Sequence, residues 1–214
     1  VEREAGKRWG PGAKARSRAR EMLSGWQTRD AVRSSTFWFL TIGMTVQQFA
    51  RTAVSTQLIP HLEQVGFSTK AAALSISLMM LFAILSKLAS GRLSESITAR
   101  NTYVVIISIQ IVGLAFIVLA GGTWLVWPAL MVFGFGIGGV GALGPLAITE
   151  AFGLRNFGVI QGLTRPAMTV PLVGGPLMAG ILFDRTETYD LAFTIVIAFL
   201  VVAIASLLLA RPQA

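Results

Sequence analysis

The chain has 214 residues, 54% of them hydrophobic and 13% charged, with a mean hydropathy of +0.68 and a formal net charge of +8. Most of such a chain suits lipid better than water, so its apolar runs decide its class before any domain count does. It has no cysteine, which excludes disulfides and cysteine-ligated metals.

Residues 1–34 are rich in Gly, Ala, Arg and Ser, contain Gly10-Pro11-Gly12 and show no apolar periodicity. That predicts a basic leader, mostly loop, with some helix over 21–33. No apolar signal-peptide core follows the first residues. A start at Val1 is what a processed product, a fragment or the continuation of a longer chain would show.

Six apolar stretches follow, at 37–60, 71–90, 102–120, 124–148, 157–182 and 190–210. Each is near the ~20 residues that cross a hydrocarbon core of ~30 Å at 1.5 Å per residue. Only helices or closed barrels span lipid, and these runs lack the alternation of barrel strands. The predicted fold is an all-α membrane protein, one domain over 35–210 with six transmembrane helices and a tail over 211–214. Two units of three helices in inverted topology are the expected internal arrangement.

Charge sets the orientation. Nine of the 18 Lys and Arg residues precede the first span: Arg3, Lys7, Arg8, Lys14, Arg16, Arg18, Arg20, Arg29 and Arg33. With that segment inside, Lys87, Arg92, Arg100, Arg155 and Arg211 are inside as well, and only Lys70 and Arg185 lie outside. The positive-inside rule therefore predicts both termini in the cytoplasm and an integral protein of the plasma (inner) membrane. A basic segment beside anionic lipid headgroups explains the positive charge, and no nucleic-acid partner is expected.

The first span is unusual. Thr41, Thr45, Gln47, Gln48, Arg51, Thr52, Ser55 and Thr56 fall within one half of a helical wheel. Arg51 sits mid-span, where a charge costs roughly 2.5–3.5 kcal/mol on insertion scales. The threonines fit interhelical hydrogen bonding; an arginine flanked by glutamines fits a cavity wall. Gln47, Gln48, Arg51 and Ser55 are the candidate ligand-binding residues. A surface-lying amphipathic helix is the alternative.

The fourth span concentrates glycine at 134, 136, 138, 139, 141 and 144, which serves either close helix packing or gating. The fifth holds Pro166, Pro171 and Pro176, so it is predicted to be bent or partly unwound. Arg165, beside the first proline, either snorkels to the membrane edge or adds a second charge to the site. Every Asp and Glu falls in a tail, a loop or a span end, so none is placed to neutralise Arg51. A guanidinium without an acid suits a carboxylate or phosphate ligand, or an acid supplied by another segment. His61, the one histidine, reads as a cap or loop residue at an outer edge. One histidine without cysteine makes no metal site, and no P-loop or Ser/His pair appears. The chain is not expected to be an enzyme or to need a cofactor.

The stretch from Gly91 to Asn101, GRLSESITARN, resembles the Gly-x-Leu-x-Asp-Arg-x-Gly-x-Arg loop of the major facilitator superfamily. Gly91, Leu93, Glu95 and Arg100 match, while Ser96 and Thr98 depart from the family's Arg and Gly. The stretches 28–38, 150–162 and 175–193 are similar to the entry to the seventh helix and to the start and outer end of the eleventh. Pro60-His61-Leu62 with Gly66-Phe67-Ser68 resembles the monocarboxylate and oxalate/formate transporter-like branch.

The resemblance covers 28–210 and implies helices seven to twelve of a twelve-helix transporter, with an N-terminal six-helix half as the missing partner. It further implies secondary transport of a small organic anion, monocarboxylate-like, by alternating access, with a proton as candidate co-substrate. In that reading Arg51 binds the anion, Gln47, Gln48 and Ser55 orient it, and Arg165 adds positive potential. Gly91, Glu95 and Arg100 form a charge latch, and Pro166 and Pro171 serve gating. A truncated, non-transporting membrane protein or interaction subunit is the rival reading.

Overall fold

The computed structural model describes residues 25–210. The leader upstream of Gly25, with the first part of its expected helix, and the tail 211–214 lie outside the described residues.

A short helix, α1 (Thr28–Arg33), leads into α2 (Ser35–Gln64) through Ser34. The Ser34 hydroxyl accepts from the Phe37 N–H at 3.2 Å and donates to the Ala31 carbonyl at 2.6 Å, so it closes one helix and caps the next. The chain continues through α3 (Thr69–Ser96), α4 (Ala99–Ala120), α5 (Val126–Gly138), α6 (Val140–Phe152), α7 (Phe157–Thr186) and α8 (Asp190–Leu209). Ser68 and Thr98 cap α3 and α4 in the same manner as Ser34. Gly139 keeps right-handed helical dihedrals between α5 and α6, and the two make one rod over Val126–Phe152. No strand occurs among the described residues, only an isolated bridge between Gly25 and Gly153.

Five of these rods are long and apolar enough to cross a membrane: α3, α4, α5 with α6, α7 and α8. The expected first span lies in α2, whose 30 residues give roughly 45 Å of length. Its polar face keeps α2 out of that group by composition, so its place in the membrane depends on the helices that cover that face.

Hydrophobicity underestimates the rods. α2 runs through Pro60 to Gln64, α3 ends at Ser96 rather than residue 90, and α7 stays helical to Thr186. Polar residues at the ends extend each helix past its apolar core. Two expectations change as a result. Gly91 to Ser96 belong to α3 rather than to an inside loop, and α7 is continuous across all three prolines rather than partly unwound.

Glycine sets the packing of the α5–α6 rod. A Cβ at Gly134 would stand 2.4 Å from the Met79 carbonyl, and one at Gly138 would stand 2.0 Å from that of Ala83. At Gly136 it would stand 2.4 Å from Gln110 Cα. These glycines let α5 press its backbone against α3 and α4. Gly141 has no neighbour within 4 Å of such an atom, and Gly144 meets only Met44 at 3.6 Å. The glycine run thus divides into packing positions and open ones.

At the end where Gly25 and Ala210 lie, the Glu150 carboxylate on α6 accepts the Ala99 N–H at 2.8 Å and 2.9 Å. That places negative charge at the N-terminus of α4, where the helix dipole favours it. Arg100 Nη1 donates to the Ala210 carbonyl at 2.7 Å, closing α8 against α4. At the opposite end His61 is buried inside α2, edge-on to Phe193 at 4.9 Å and Tyr189 at 6.1 Å. It is neither a cap nor a loop residue, because α2 outlasts Pro60 by four residues.

Candidate functional site

A cavity of about 290 Å³ lies between α2, α4, α6 and α7. It falls near the small end of ligand-sized sites, roughly 300–1,000 Å³. From α2 it receives Met44, Gln47, Gln48 and Arg51, which recur at the three- and four-residue spacing of one helix face. From α7 come Gln161, Thr164, Arg165, Met168, Thr169 and Leu172 at the same spacing. Tyr103 from α4 and Val140, Gly141, Gly144, Pro145 and Ile148 from α6 complete the wall. Gly141 and Gly144 are the glycines without close neighbours, so this side of the cavity is roomy for want of side chains.

Its electrostatics are one-sided. Arg51 and Arg165 both line the cavity, and no Asp or Glu among the described residues does. Arg165, itself exposed, is thus part of the cavity wall. Three glutamines, two threonine hydroxyls and a phenol supply neutral polar groups around the two guanidiniums. Such a lining stabilises an anion by charge and by hydrogen bonds that cost little reorganisation.

Three of the four expected α2 residues meet here: Gln47, Gln48 and Arg51. Ser55, one turn further along, does not line the cavity. Other polar residues of α2 bond across to a neighbouring helix or back to α2 itself. Thr52 donates its hydroxyl to the Pro171 carbonyl of α7 at 2.8 Å, and Thr41 turns back to the Phe37 carbonyl at 2.7 Å. Gln47 is fully buried and donates Nε2 to Gln110 Oε1 at 3.3 Å. The Gln47 Oε1 and Gln110 Nε2 atoms have no partner among the described residues.

Of the residues expected to gate, Gly91 is exposed with no neighbour within 4 Å of a Cβ, and Glu95 is exposed. Arg100 gives its guanidinium to Ala210 and to Asn101 Oδ1, so no bond joins it to Glu95. Pro171 accepts the Thr52 hydroxyl with its carbonyl, and neither lines the cavity; Pro166 follows Arg165 directly.

Tyr103, Gln161, Thr164 and Thr169 were not expected. Gln161 and Thr169 stand four residues to either side of Arg165, a spacing that could have marked them once Arg165 was given to the cavity. Tyr103, 1% exposed and within electrostatic reach of Arg51, has no comparable signal. Near the start of a span it looks like any interfacial tyrosine.

Residues 3–176 match the Major Facilitator Superfamily. The chain belongs to that superfamily, and it is an integral membrane protein of helical spans. Its fold is similar to two solved structures of superfamily transporters. One is described as the crystal structure of an auto inhibited POT family peptide transporter, with a TM-score of 0.71 and 17% identity over 84% of this chain and 38% of that one. The other, an in meso crystal structure of the POT family transporter PepTSo, gives 0.69 and 16% over 84% and 39%. The chain thus spans about two fifths of the structures it matches. At these identities the likeness carries the fold and not the cargo. No curated protein matches the sequence.

Proposed function

We propose that this chain supplies one wall of the path of a secondary transporter for a small organic anion of the monocarboxylate kind. The observation that carries the reading is the pairing of Arg51 and Arg165 in one cavity that no carboxylate of the described residues lines. Two unneutralised guanidiniums inside a membrane protein are costly without an anionic partner. A carboxylate between Arg51 and the amide of Gln48 gives both charge and geometry a use, while the fully buried Gln47 and Tyr103 back the wall behind them. A proton is the candidate co-substrate.

In this reading the described helices are the C-terminal six of twelve, with both termini in the cytoplasm. The opposite wall comes from a second six-helix unit, and alternating access follows from rocking the two units about the site. The low burial of α3 and α7, whose most apolar windows are 28% and 17% buried, suits faces that meet such a unit. The coverage of about two fifths also favours a second reading, a non-transporting membrane subunit whose polar face pairs with another protein.

Uptake of labelled monocarboxylates into proteoliposomes separates the two. The protein that carries this chain should show saturable uptake, and Arg51→Gln should abolish saturation. Identical saturation curves for the two proteins would remove the anion site.

A further inference from the structure

The residues just before the bundle do more than lead into it. Gly25 and Gly153 form an antiparallel bridge, joining the incoming chain to the turn between α6 and α7. The Trp26 N–H donates to the Phe152 carbonyl at 3.0 Å, and Asn156 Nδ2 donates to the Trp26 carbonyl at 2.8 Å. The indole stands edge-on to Phe152 at 6.0 Å, and Phe152 in turn meets Phe37 at the start of α2. The approach is close enough to demand glycine. A Cβ on Gly25 would lie 2.8 Å from the Phe152 carbonyl and 3.1 Å from Arg155 Cβ.

Asn156 is the informative partner. It occupies the N-cap position of α7, where an asparagine side chain ordinarily accepts a backbone N–H of the first turn. Here it makes no such bond and donates instead to Trp26. The α7 start thus gives up its own cap to hold the incoming chain. α7 is also the span least buried by the rest of the bundle, and three prolines have each removed a backbone donor from it. Beside the strap, the buried Ile160 and Thr164 anchor this end. Arg165 lies nine residues from Asn156, or about 14 Å along the helix, so the hold acts within reach of the cavity wall.

We propose that Gly25–Trp26 is a strap that fixes the Gly25/Ala210 end of α7, and that its release frees this end to move and carries Arg165 with it. The strap is continuous with the chain upstream, so a pull or a binding event there reaches α7 through the Asn156 bond, and the end of α6 through the Trp26–Phe152 bond and ring contact. The inference is independent of the cargo.

Hydrogen–deuterium exchange on the 214-residue chain in lipid nanodiscs tests it. Gly25→Val cannot hold its place against Phe152. In that variant the amides of residues 161–165 should exchange about tenfold faster, while those of 177–186 stay as in the unaltered chain. Asn156→Ser is the milder and sharper variant. Serine caps a helix as well as asparagine does but cannot reproduce the reach to Trp26. The strap requires faster exchange at 161–165 in Asn156→Ser also. An Asn156 that served only the helix end would give unchanged or slower exchange there, and that result overturns the proposal. So does loss of Trp26 protection in either variant with residues 161–165 unaffected.

Discussion

Gln47 on α2 and Gln110 on α4 are both fully buried and share one hydrogen bond of the two their amides could make. A buried amide costs more when its partner is removed than when both are replaced. Gln47→Met or Gln110→Leu alone should therefore lower stability by about 1–3 kcal/mol. The double substitution should recover much of that loss. Thermal unfolding in detergent micelles checks it; a double variant as unstable as the two single losses combined refutes the pairing.

The glycines of the α5–α6 rod should separate cleanly. Gly138→Ala and Gly136→Ala each drive a methyl into backbone of a neighbouring helix and should cost about 1–3 kcal/mol as overpacked contacts do. Gly141→Ala enters open space and should be neutral, or gain up to about 1 kcal/mol from helix propensity. Melting temperatures of the three variants decide the matter, and equal losses at all three would contradict the division.

Thr52, Phe49, Pro171 and Gly175 form the tight crossing of α2 and α7. Thr52→Val should lose about 0.6–1.7 kcal/mol, the range for a polar contact between membrane helices. Gly175→Val should be far worse, since its Cβ would lie 2.5 Å from the Thr52 hydroxyl and 2.8 Å from the Phe49 carbonyl. Adding Thr52→Ala should not rescue it, because the backbone carbonyl remains. Recovery of folded protein in that double variant, read by size-exclusion chromatography, would show the crossing to be looser.

The two arginines should differ in kind. If Arg51 grips a carboxylate through two parallel N–H groups, Arg51→Lys keeps the charge but loses that geometry. It should raise the half-saturation concentration for anion uptake at least about tenfold. Arg165→Lys, where charge alone is needed, should change it by less than about threefold. Equal effects of the two lysine variants would mean that both arginines contribute only potential.

Much of this was legible in the sequence because lipid leaves few options. Runs near 20 apolar residues must be helices, and a mid-span arginine must have a reason. The cavity was visible through Arg51 and its two glutamines because a single charge in an apolar run outweighs its surroundings. The wheel was too generous, however. A half-circle of polar residues serves several neighbours at once, so Ser55 falls outside the cavity and Thr52 bonds to Pro171. Tyr103 was hidden for the opposite reason: an amphipathic side chain near a span end has an ordinary explanation. The helix boundaries of α2 and α3 escaped because polar end residues continue a helix without adding hydrophobicity. α7 kept its form across three prolines because α2 packs along it, a tertiary effect that no local rule contains.

The Thr52–Pro171 crossing sits at the midpoint of the 30-residue α7. Held there, α7 is divided into two halves that answer to different partners. Arg165 and Thr169 lie on the Phe157 side of that crossing and Gln64's partner Glu187 lies beyond the other end. The cavity half and the far half of α7 are therefore tied down separately, one by Asn156 and Trp26 and the other by Gln64 and the Glu187 carbonyl.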